Sequence, residues 1–161
     1  SRRRPIQEYG KSKSAAEEII EAEVGLDWAI VRASGIFSTS HRNFLTWVLE
    51  SAKRNEEISI VTDQFSTPIS ALSASNLILK IIQDDHSGLW NIGSAEKISR
   101  FDFARIICEK FGINGESLSK SNMNAISWKA DRPLDTSFNT SKMREFFGAQ
   151  HVERMIEELV S

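Results

Sequence analysis

A helical pattern followed at once by an apolar run of strand length constrains the fold of this chain most. Residues 5–25, PIQEYGKSKSAAEEIIEAEVG, have helical character and end at Gly25, a residue type that commonly stops a helix. Residues 26–33, LDWAIVRA, are nearly all apolar, which is typical of a parallel strand covered on both faces. This order predicts an α/β fold that contains the second half of a doubly wound parallel sheet.

Pro5 precedes the first helix, which is expected to rest on that sheet. Its lower part carries Ile19, Ile20 and Val24, which form an apolar stripe at helical spacing. Such a stripe normally faces the core, so we expect these three side chains to pack the helix against the sheet.

The same helix carries the only tyrosine of the chain, Tyr9, with Lys13 four residues later. Side chains at positions i and i+4 of a helix lie on one face, so the Lys13 ammonium can approach the Tyr9 phenol. A nearby cation stabilises a phenolate and makes the phenol a better acid. The pair is a candidate for proton transfer, although the same spacing also occurs as an ordinary surface contact worth about 0.2–0.5 kcal/mol.

The pattern P-x-x-x-Y-G-x-S-K-x-x-x-E at residues 5–17 resembles the catalytic helix of the extended short-chain dehydrogenase/reductases that act on nucleotide sugars. Six further stretches resemble, in order and spacing, the C-terminal half of the dTDP-4-dehydrorhamnose reductases. They are IVRASGIFS at 30–38, RNFLTWVLE at 42–50, VTDQFSTPIS at 61–70, GLWNIGS at 88–94, SRFDFARII at 99–107 and DRPLDTSFNTSKMREFFG at 131–148.

The resemblance implies a nicotinamide cofactor, NADPH or NADH, and assigns residues to it. Tyr9 would protonate the alkoxide that forms at the sugar C4, and Lys13 would hold the nicotinamide ribose. Ser34, Gly35 and Ile36 follow the strand at 26–33, and ligands of open α/β sheets bind at the carboxyl ends of strands. In the family this loop runs beside the nicotinamide, so Tyr9, Lys13 and these three residues are the candidate cofactor-binding set.

Two residues are candidates for substrate binding. Gln64 lies in a polar loop, 63–68, that approaches the sugar nucleotide in the resembled reductases, and its amide can both donate and accept. Arg132 precedes a proline and offers a planar fork of donors suited to a carboxylate or diphosphate. A plain turn and a structural ion pair, respectively, remain alternatives for these two residues.

The remaining pattern predicts alternating helices and strands. Helices are expected at 42–55, 72–84, 99–111, 140–147 and 152–160, the third opened by a capping box of Ser99 and Asp102, and strands at 57–61, 88–93 and 125–129. The polar run at 114–124 is expected to be a loop.

We expect two regions in the chain. Residues 1–62 would be the end of a Rossmann-like part with the Tyr–Lys helix, and residues 63–161 a small α+β substrate-binding region. The glycines are scattered and form no G-x-x-G-x-x-G phosphate loop, so the sequence shows no recognisable binding site for the dinucleotide pyrophosphate. A chain that opens at Ser1, four residues before Pro5, is therefore expected to be a fragment that does not turn over alone.

The composition of the chain limits the kinds of molecule that it is expected to bind. The formal net charge of −2 gives no long-range attraction to nucleic acid or anionic membranes, and no stretch approaches the ~18 apolar residues of a membrane span. The single cysteine, Cys108, cannot form an internal disulfide and fits a reducing cytoplasm. His41, His86 and His151 show no metal-ligand spacing, so no metal is expected.

Two other functions remain open. An epimerase or dehydratase of sugar nucleotides is favoured by Ile69, where the reductases have threonine, and by Gly35, where they commonly have tryptophan. A non-catalytic sugar-nucleotide binding module is favoured by the absent glycine loop. Such a module would leave the strand at 26–33 as an open edge and is expected to cover it, for example as a homodimer.

Overall fold

A computed structural model describes residues 7–126 and 132–160 of the chain. Its helices are Glu8–Ala22 (α1), Phe44–Lys53 (α2), Ala71–Gln83 (α3), Arg100–Lys110 (α4), Ser141–Phe147 (α5) and Val152–Val160 (α6). Its strands are Ala29–Ala33 (β1), Ile36–Phe37 (β2), Ile58–Val61 (β3), Phe65–Ser66 (β4), Ile69–Ser70 (β5), Gly88–Ile92 (β6), Ile98–Ser99 (β7) and Leu118–Ser121 (β8). Single 3-10 turns occur at Gly115–Ser117 and Met123–Ala125. Pro5 and most of the strand expected at 125–129 lie outside the described residues.

Parallel strand pairs form the centre of the molecule and confirm the predicted α/β class. β1 pairs with β6 in parallel, with Ala29 opposite Gly88 and Ala33 opposite Ile92. The alignment continues past the strand ends, because Ser34 N donates to Ile92 O at 3.1 Å. β2 and β5 form a second short parallel pair. The carboxyl ends of these strands therefore meet on one side of the fold.

Two further pairs flank this centre. β3 pairs with β8 in parallel, and β4 pairs with β7 in antiparallel. The other side of β4 contacts the segment 132–136, since Phe65 N donates to Leu134 O at 2.7 Å and Thr136 N donates to Phe65 O at 2.9 Å. The segment that carries Arg132 is thus fixed to β4 by backbone hydrogen bonds.

A single apolar core joins the helices to the strands. Burying a large aliphatic or aromatic side chain contributes about 1.5–3 kcal/mol, so this core is the main source of stability. Its members come from β2, β3, β5, β6 and helices α2 to α6: Phe37, Leu45, Val48, Ile60, Ile69, Leu77, Ile92, Phe103, Ile107, Met143, Met155 and Ile156.

The prediction that the apolar stripe packs α1 against the sheet is wrong for this chain. Helix α1 contains no buried residue: Ile19 is 66% exposed, and Val24, just past the end of the helix, is fully exposed. No described element covers the stripe, so an ion pair makes the contact instead: Arg32 of β1 donates to Glu17 of α1 through both Nε and Nη2.

The polar run at 114–124 is also not simply a loop, because it contains β8. β8 carries one apolar residue, Leu118, and is only half-buried, so its composition does not signal a strand. It forms because the edge of β3 supplies a parallel partner from Ile58 to Val61. The interaction that makes the strand is long-range, and local sequence does not encode it.

The predicted helix signals are otherwise confirmed. Ser99 Oγ accepts from Asp102 N at 3.0 Å, so Ser99 caps α4 as predicted, but the Asp102 carboxylate accepts from the Ser99 hydroxyl at 2.6 Å rather than from its backbone N–H. Gly25 follows α1 with φ of 82°, a left-handed conformation that favours glycine. Among the described residues, no helix combines the length and apolar character that crossing a membrane requires.

Candidate functional site

A cavity of about 410 Å³ lies beside the carboxyl ends of β1 and β4. Other cavities in the molecule have similar volumes, so size alone does not mark it. What distinguishes this one is that three candidate residues, distant in sequence, meet in its wall: Gly35, Gln64 and Arg132. The full lining is Gln7, Gly35, Gln64, Phe65, Ser66, Arg100, Arg132, Pro133 and Thr136.

Tyr9 and Lys13 occupy one face of α1, as their spacing predicts. Lys13 Nζ lies 5.7 Å from the centroid of the Tyr9 ring, and the tyrosine is 73% exposed. Neither side chain lines the cavity. However, Gln7, the residue that precedes α1, does so, and the first turn of the helix therefore adjoins the cavity.

The three residues after β1 have different surroundings. Ser34 is buried, and its Oγ accepts a hydrogen bond from Thr67 N at 3.3 Å, so its hydroxyl joins two loops. Gly35 has φ of 34° and lines the cavity. Ile36 is 54% exposed at the start of β2. Of the three, only Gly35 lies in the cavity wall.

Gln64 is a buried part of the wall with half of its amide unused. Its Nε2 donates to Pro133 O at 3.3 Å, which ties the 63–68 loop to the segment that carries Arg132. Its Oε1 is buried and has no hydrogen-bond partner among residues 7–126 and 132–160, and the whole residue is only 7% exposed. An unpaired buried acceptor costs about 1–3 kcal/mol, so the amide is available to a ligand that donates.

Arg100 is a cavity residue that the sequence did not single out. It is the first residue of α4, and its backbone N–H donates to Gln64 O at 3.0 Å. Its guanidinium carbon lies 4.8 Å from the centroid of the Phe44 ring. Burial, followed by the like charge of Arg132, lowers the pKa of the Arg100 guanidinium below its ordinary value.

One signal in the sequence could have identified Arg100. A cation in the first turn of a helix opposes the helix dipole, by about 0.3–1 kcal/mol at an exposed site. The pattern of Ser99 and Asp102 already predicted where α4 begins. An arginine at the next position does not stabilise the helix, so it invites another explanation.

An ion pair holds the segment next to Arg132. The Asp135 carboxylate accepts from Lys97 Nζ and from the hydroxyl and amide of Ser137. These hydrogen bonds, that of Lys97 first, lower the pKa of Asp135 to about 2. Together with the backbone bonds to Phe65, they position Arg132 and Pro133 beside the cavity.

Among the described residues, no cluster of three or more histidine, cysteine or carboxylate side chains is arranged to hold a metal ion. The cavity instead combines two guanidinium groups with an amide that has a spare acceptor, next to the residue that precedes α1. This set suits an organic anion that carries hydroxyl groups.

Sequence relatives match the chain over most of its length. The dTDP-4-dehydrorhamnose reductase of Escherichia coli (strain K12) is 26% identical, and the match covers 96% of this chain and 57% of the relative. The enzyme of the same name from Burkholderia thailandensis is 30% identical, with 91% and 54% covered. The chain thus spans about half the length of the curated relatives it matches.

Solved structures agree in fold. The dTDP-4-dehydrorhamnose reductase of Bacillus anthracis in complex with NADP superposes with a TM-score of 0.88 at 25% identity, covering 97% of this chain and 56% of that one. The UDP-glucose 4-epimerase of Thermotoga maritima with UDP-glucose gives 0.76 at 17% identity, covering 98% and 53%, a likeness of fold alone.

A family model described as "RmlD substrate binding domain" matches residues 1–160. The resemblance inferred from the Tyr–Lys helix and the six ordered stretches is thereby confirmed. The chain belongs to the RmlD substrate binding domain family.

Proposed function

We propose that this chain is the C-terminal portion of an NAD(P)H-dependent reductase that acts on a nucleotide-linked 4-keto-6-deoxy sugar. The observation that carries the proposal is the placement of α1. Tyr9 and Lys13 share one face of this helix, and Gln7, the residue before it, lines the cavity that Gln64 and Arg132 also line. The names of the relatives support the substrate class, and the Bacillus anthracis complex with NADP supports the cofactor.

The exposed face of α1 fits a nicotinamide cofactor. Tyr9 is 73% exposed and Lys13 is exposed, so both side chains are accessible to a ligand that lies over the helix. Gly35 adds a stretch without a side chain to the wall of the cavity that Gln7 also lines. When bound, the cofactor supplies a hydride to the carbonyl carbon of the sugar.

Tyr9 supplies the proton that completes the reduction. Its O–H bond breaks as the carbonyl oxygen at the sugar C4 takes the proton, so the C=O group becomes a hydroxyl. Lys13 holds the ribose of the cofactor, and its ammonium stabilises the phenolate that remains on Tyr9. Arg132 and Gln64 orient the substrate, the former through its phosphates and the latter through a hydroxyl.

We further propose that this chain alone does not turn over, because its sequence contains no glycine-rich phosphate loop. In this assignment residues 1–62 belong to the Rossmann-like part and residues 63–161 to the substrate-binding region. The proposed partner is the nucleotide sugar, with no role for nucleic acid, and the proposed location is the cytoplasm.

The test replaces Tyr9 by phenylalanine in the full-length gene product. Loss of the phenol should reduce NAD(P)H-dependent turnover at least a hundredfold while cofactor binding, followed by fluorescence, stays within about threefold, since general acids contribute roughly 10²–10⁴-fold. Lys13→Met should impair both turnover and cofactor affinity. Lys11→Met is the matched control, because Lys11 is an exposed lysine of α1 that pairs with Glu8. Wild-type turnover in the Tyr9→Phe protein would refute the assigned role.

An epimerase or dehydratase is the second candidate, and the surroundings of two residues favour it. Ile69 is fully buried and has no hydroxyl group to offer a ligand, where the reductases have threonine. Gly35 leaves open the space that a tryptophan commonly fills in those enzymes. Incubating the full-length gene product with a dTDP-4-keto sugar and NADPH separates the two. Net NADPH oxidation supports the reductase, whereas a new sugar product without oxidation supports the isomerising enzyme.

A non-catalytic binding module is the third candidate, favoured by the exposed stripe of α1. A module of this length should cover Ile19 and Val24, which are 66% and 100% exposed, by forming a homodimer. Sedimentation of the chain at several concentrations tests this, with Ile19→Lys expected to abolish the dimer. A monomer at all concentrations would speak against the module.

A further inference from the structure

Helix α3 exposes an apolar stripe to solvent. The exposed fractions of Leu72, Leu79 and Ile82 are 48%, 53% and 67%, and Ser75 is exposed between them. These four positions, the α3 stripe, are spaced by three and four residues, as are the a and d positions of a coiled coil, so they lie on one side of the helix. The opposite side packs into the core with Ser73, Ala74, Leu77 and Ile81.

Charge is almost absent from the surface of α3. Lys80 is the only charged residue among the thirteen positions of the helix. By contrast, all exposed residues of α4 are charged, namely Asp102, Arg105 and Glu109. The centre of a protein interface is depleted of charged residues, whereas the side of a helix that faces water normally carries them. The exposed surface of α3 therefore has the composition of an interface.

The α3 stripe is complementary to a second copy of itself in the antiparallel orientation. Pairing about a twofold axis at the middle of the helix brings Leu72 opposite Ile82 of the second copy. It also brings Ser75 opposite Leu79, so a small residue meets a large one near the axis, as close packing requires. The Ser75 hydroxyl donates to Leu72 O at 2.9 Å, so its donor is satisfied within the helix when the contact buries it.

The charges at the end of α3 favour the same orientation. Asp84 and Asp85 follow the carboxyl end of the helix, where the helix dipole disfavours negative charge. In an antiparallel pair these carboxylates lie beside the amino terminus of α3 in the second copy, where the dipole favours them. A parallel pair would instead bring the carboxylates of both copies together.

Two cavities border the α3 stripe. One of about 360 Å³ has Leu79 and Lys80 in its wall, and one of about 420 Å³ has Ile82 and Asp85 in its wall. Side chains of one helix pack into the grooves beside the ridge of another, so these cavities can receive side chains that flank the stripe of a second copy.

We propose that α3 is a homodimer interface in which the stripes of two copies pack antiparallel. A helix of thirteen residues is about 20 Å long, so the contact is smaller than a standard interface of about 800 Å² per subunit. We therefore expect a reversible dimer with a dissociation constant on the order of 10 µM, since standard interfaces range from micromolar to picomolar. The α3 stripe does not line the cavity beside β1 and β4, so the inference does not rest on the proposed function.

Sedimentation velocity over a range of concentrations tests the proposal with the 161-residue chain and with the full-length gene product. Both should shift from monomer to dimer as the concentration rises. Leu79→Glu should weaken association at least tenfold, since it places a carboxylate from each copy in a desolvated contact. The matched control is Ile19→Glu, because Ile19 is an exposed aliphatic residue of another helix and should stay within about twofold of wild type.

A second variant separates association from folding. Leu79→Glu and Ile82→Lys both replace side chains that are more than half exposed, so both should keep the circular dichroism spectrum of the wild type and both should weaken the dimer. If one of them does not fold, the other decides the matter. Wild-type association in a folded variant would overturn the proposal.

Cross-linking tests the orientation. With oxidised glutathione as the oxidant, a mixture of Ser75→Cys and Leu79→Cys chains should form a mixed disulfide faster than either variant alone forms its own dimer. The native Cys108 is buried and does not compete. Faster linkage between two Ser75→Cys chains would indicate parallel pairing and would contradict the inference.

Three further results would also overturn it. The first is a monomer at all concentrations in both proteins. The second is a dimer that Ile19→Glu abolishes and Leu79→Glu leaves intact, which would place the interface on α1. The third is a dimeric 161-residue chain with a monomeric full-length gene product, which would show that the longer chain itself covers the α3 stripe. None of these results bears on the proposed reductase, whose test is Tyr9-dependent turnover.

Discussion

Arg32 of β1 and Glu17 of α1 form a bidentate ion pair, in which Nε donates to Oε1 at 2.7 Å and Nη2 donates to Oε2. Their side chains are 26% and 14% exposed, so water screens the pair only partly. Helix α1 buries no side chain of its own, and within the described residues this pair joins it to β1.

Breaking that pair should loosen α1 more than the rest of the fold. We expect Glu17→Gln to lower the free energy of unfolding by about 1–3 kcal/mol, the usual range for a hydrogen bond to a charged group. Amide hydrogen exchange should accelerate in α1 and change little in β1 and β6. Arg54→Gln is the control, because its pair with Glu56 is 51–56% exposed and should change stability by less than about 1 kcal/mol. Equal exchange rates in α1 of wild type and Glu17→Gln would show that the pair does not hold the helix.

Gly93 should tolerate no side chain. A Cβ at this position would lie 2.6 Å from the Thr67 carbonyl oxygen, and backbone cannot easily move away. Gly93→Ala should therefore destabilise the fold by about 1–3 kcal/mol, the usual effect of overpacking. Gly115→Ala is the matched substitution, since its Cβ would meet Cys108 and Leu118 at an ordinary 3.8 Å. Thermal melts of both variants test this, and a Gly93→Ala melt no lower than that of Gly115→Ala would contradict it.

The ion pair of Asp135 and Lys97 should make the free energy of unfolding depend on pH in the acidic range. The pKa of Asp135 is lowered from 3.8 to about 2, so its carboxylate stabilises the fold above pH ~4. This contribution is lost as the pH falls through about 2, where the folded protein takes up the proton. We expect Asp135→Asn to be less stable than wild type at pH 6, with the difference disappearing toward pH 2. The magnitude should stay below about 1 kcal/mol, because both side chains are nearly half exposed.

Urea unfolding at several pH values measures this difference. Repeating it in a Lys97→Gln background serves as the control, since removal of the partner should shrink the effect of Asp135→Asn. A constant difference between pH 6 and pH 2 would show that the carboxylate charge is not the cause.

Features that depend on neighbouring residues in the chain could be predicted from the sequence. Features that depend on contacts between distant residues could not. The helices were predictable because their spacing and caps are local, as Ser99 and Asp102 illustrate. Family resemblance and the rule that ligands bind at the carboxyl ends of strands singled out Gly35, Gln64 and Arg132 one by one, but not that they line one cavity. β8 was missed because it depends on a partner strand about sixty residues away. Arg100 was missed because its local signal, a cation in the first turn of α4, is weak, and its burial near Arg132 depends on long-range contacts.

The unpaired Oε1 of Gln64 has a consequence for how this protein can evolve or be engineered. An acceptor to which nothing donates disfavours the folded state by about 1–3 kcal/mol, and a ligand that donates to it removes that cost. Gln64→Met would remove the penalty and leave the Pro133 carbonyl, on an exposed residue, to water. Selection for heat resistance alone should therefore favour this replacement, whereas selection for ligand affinity should remove it. Position 64 is where the two demands conflict, so a thermostable variant of this chain should be checked there first for lost binding.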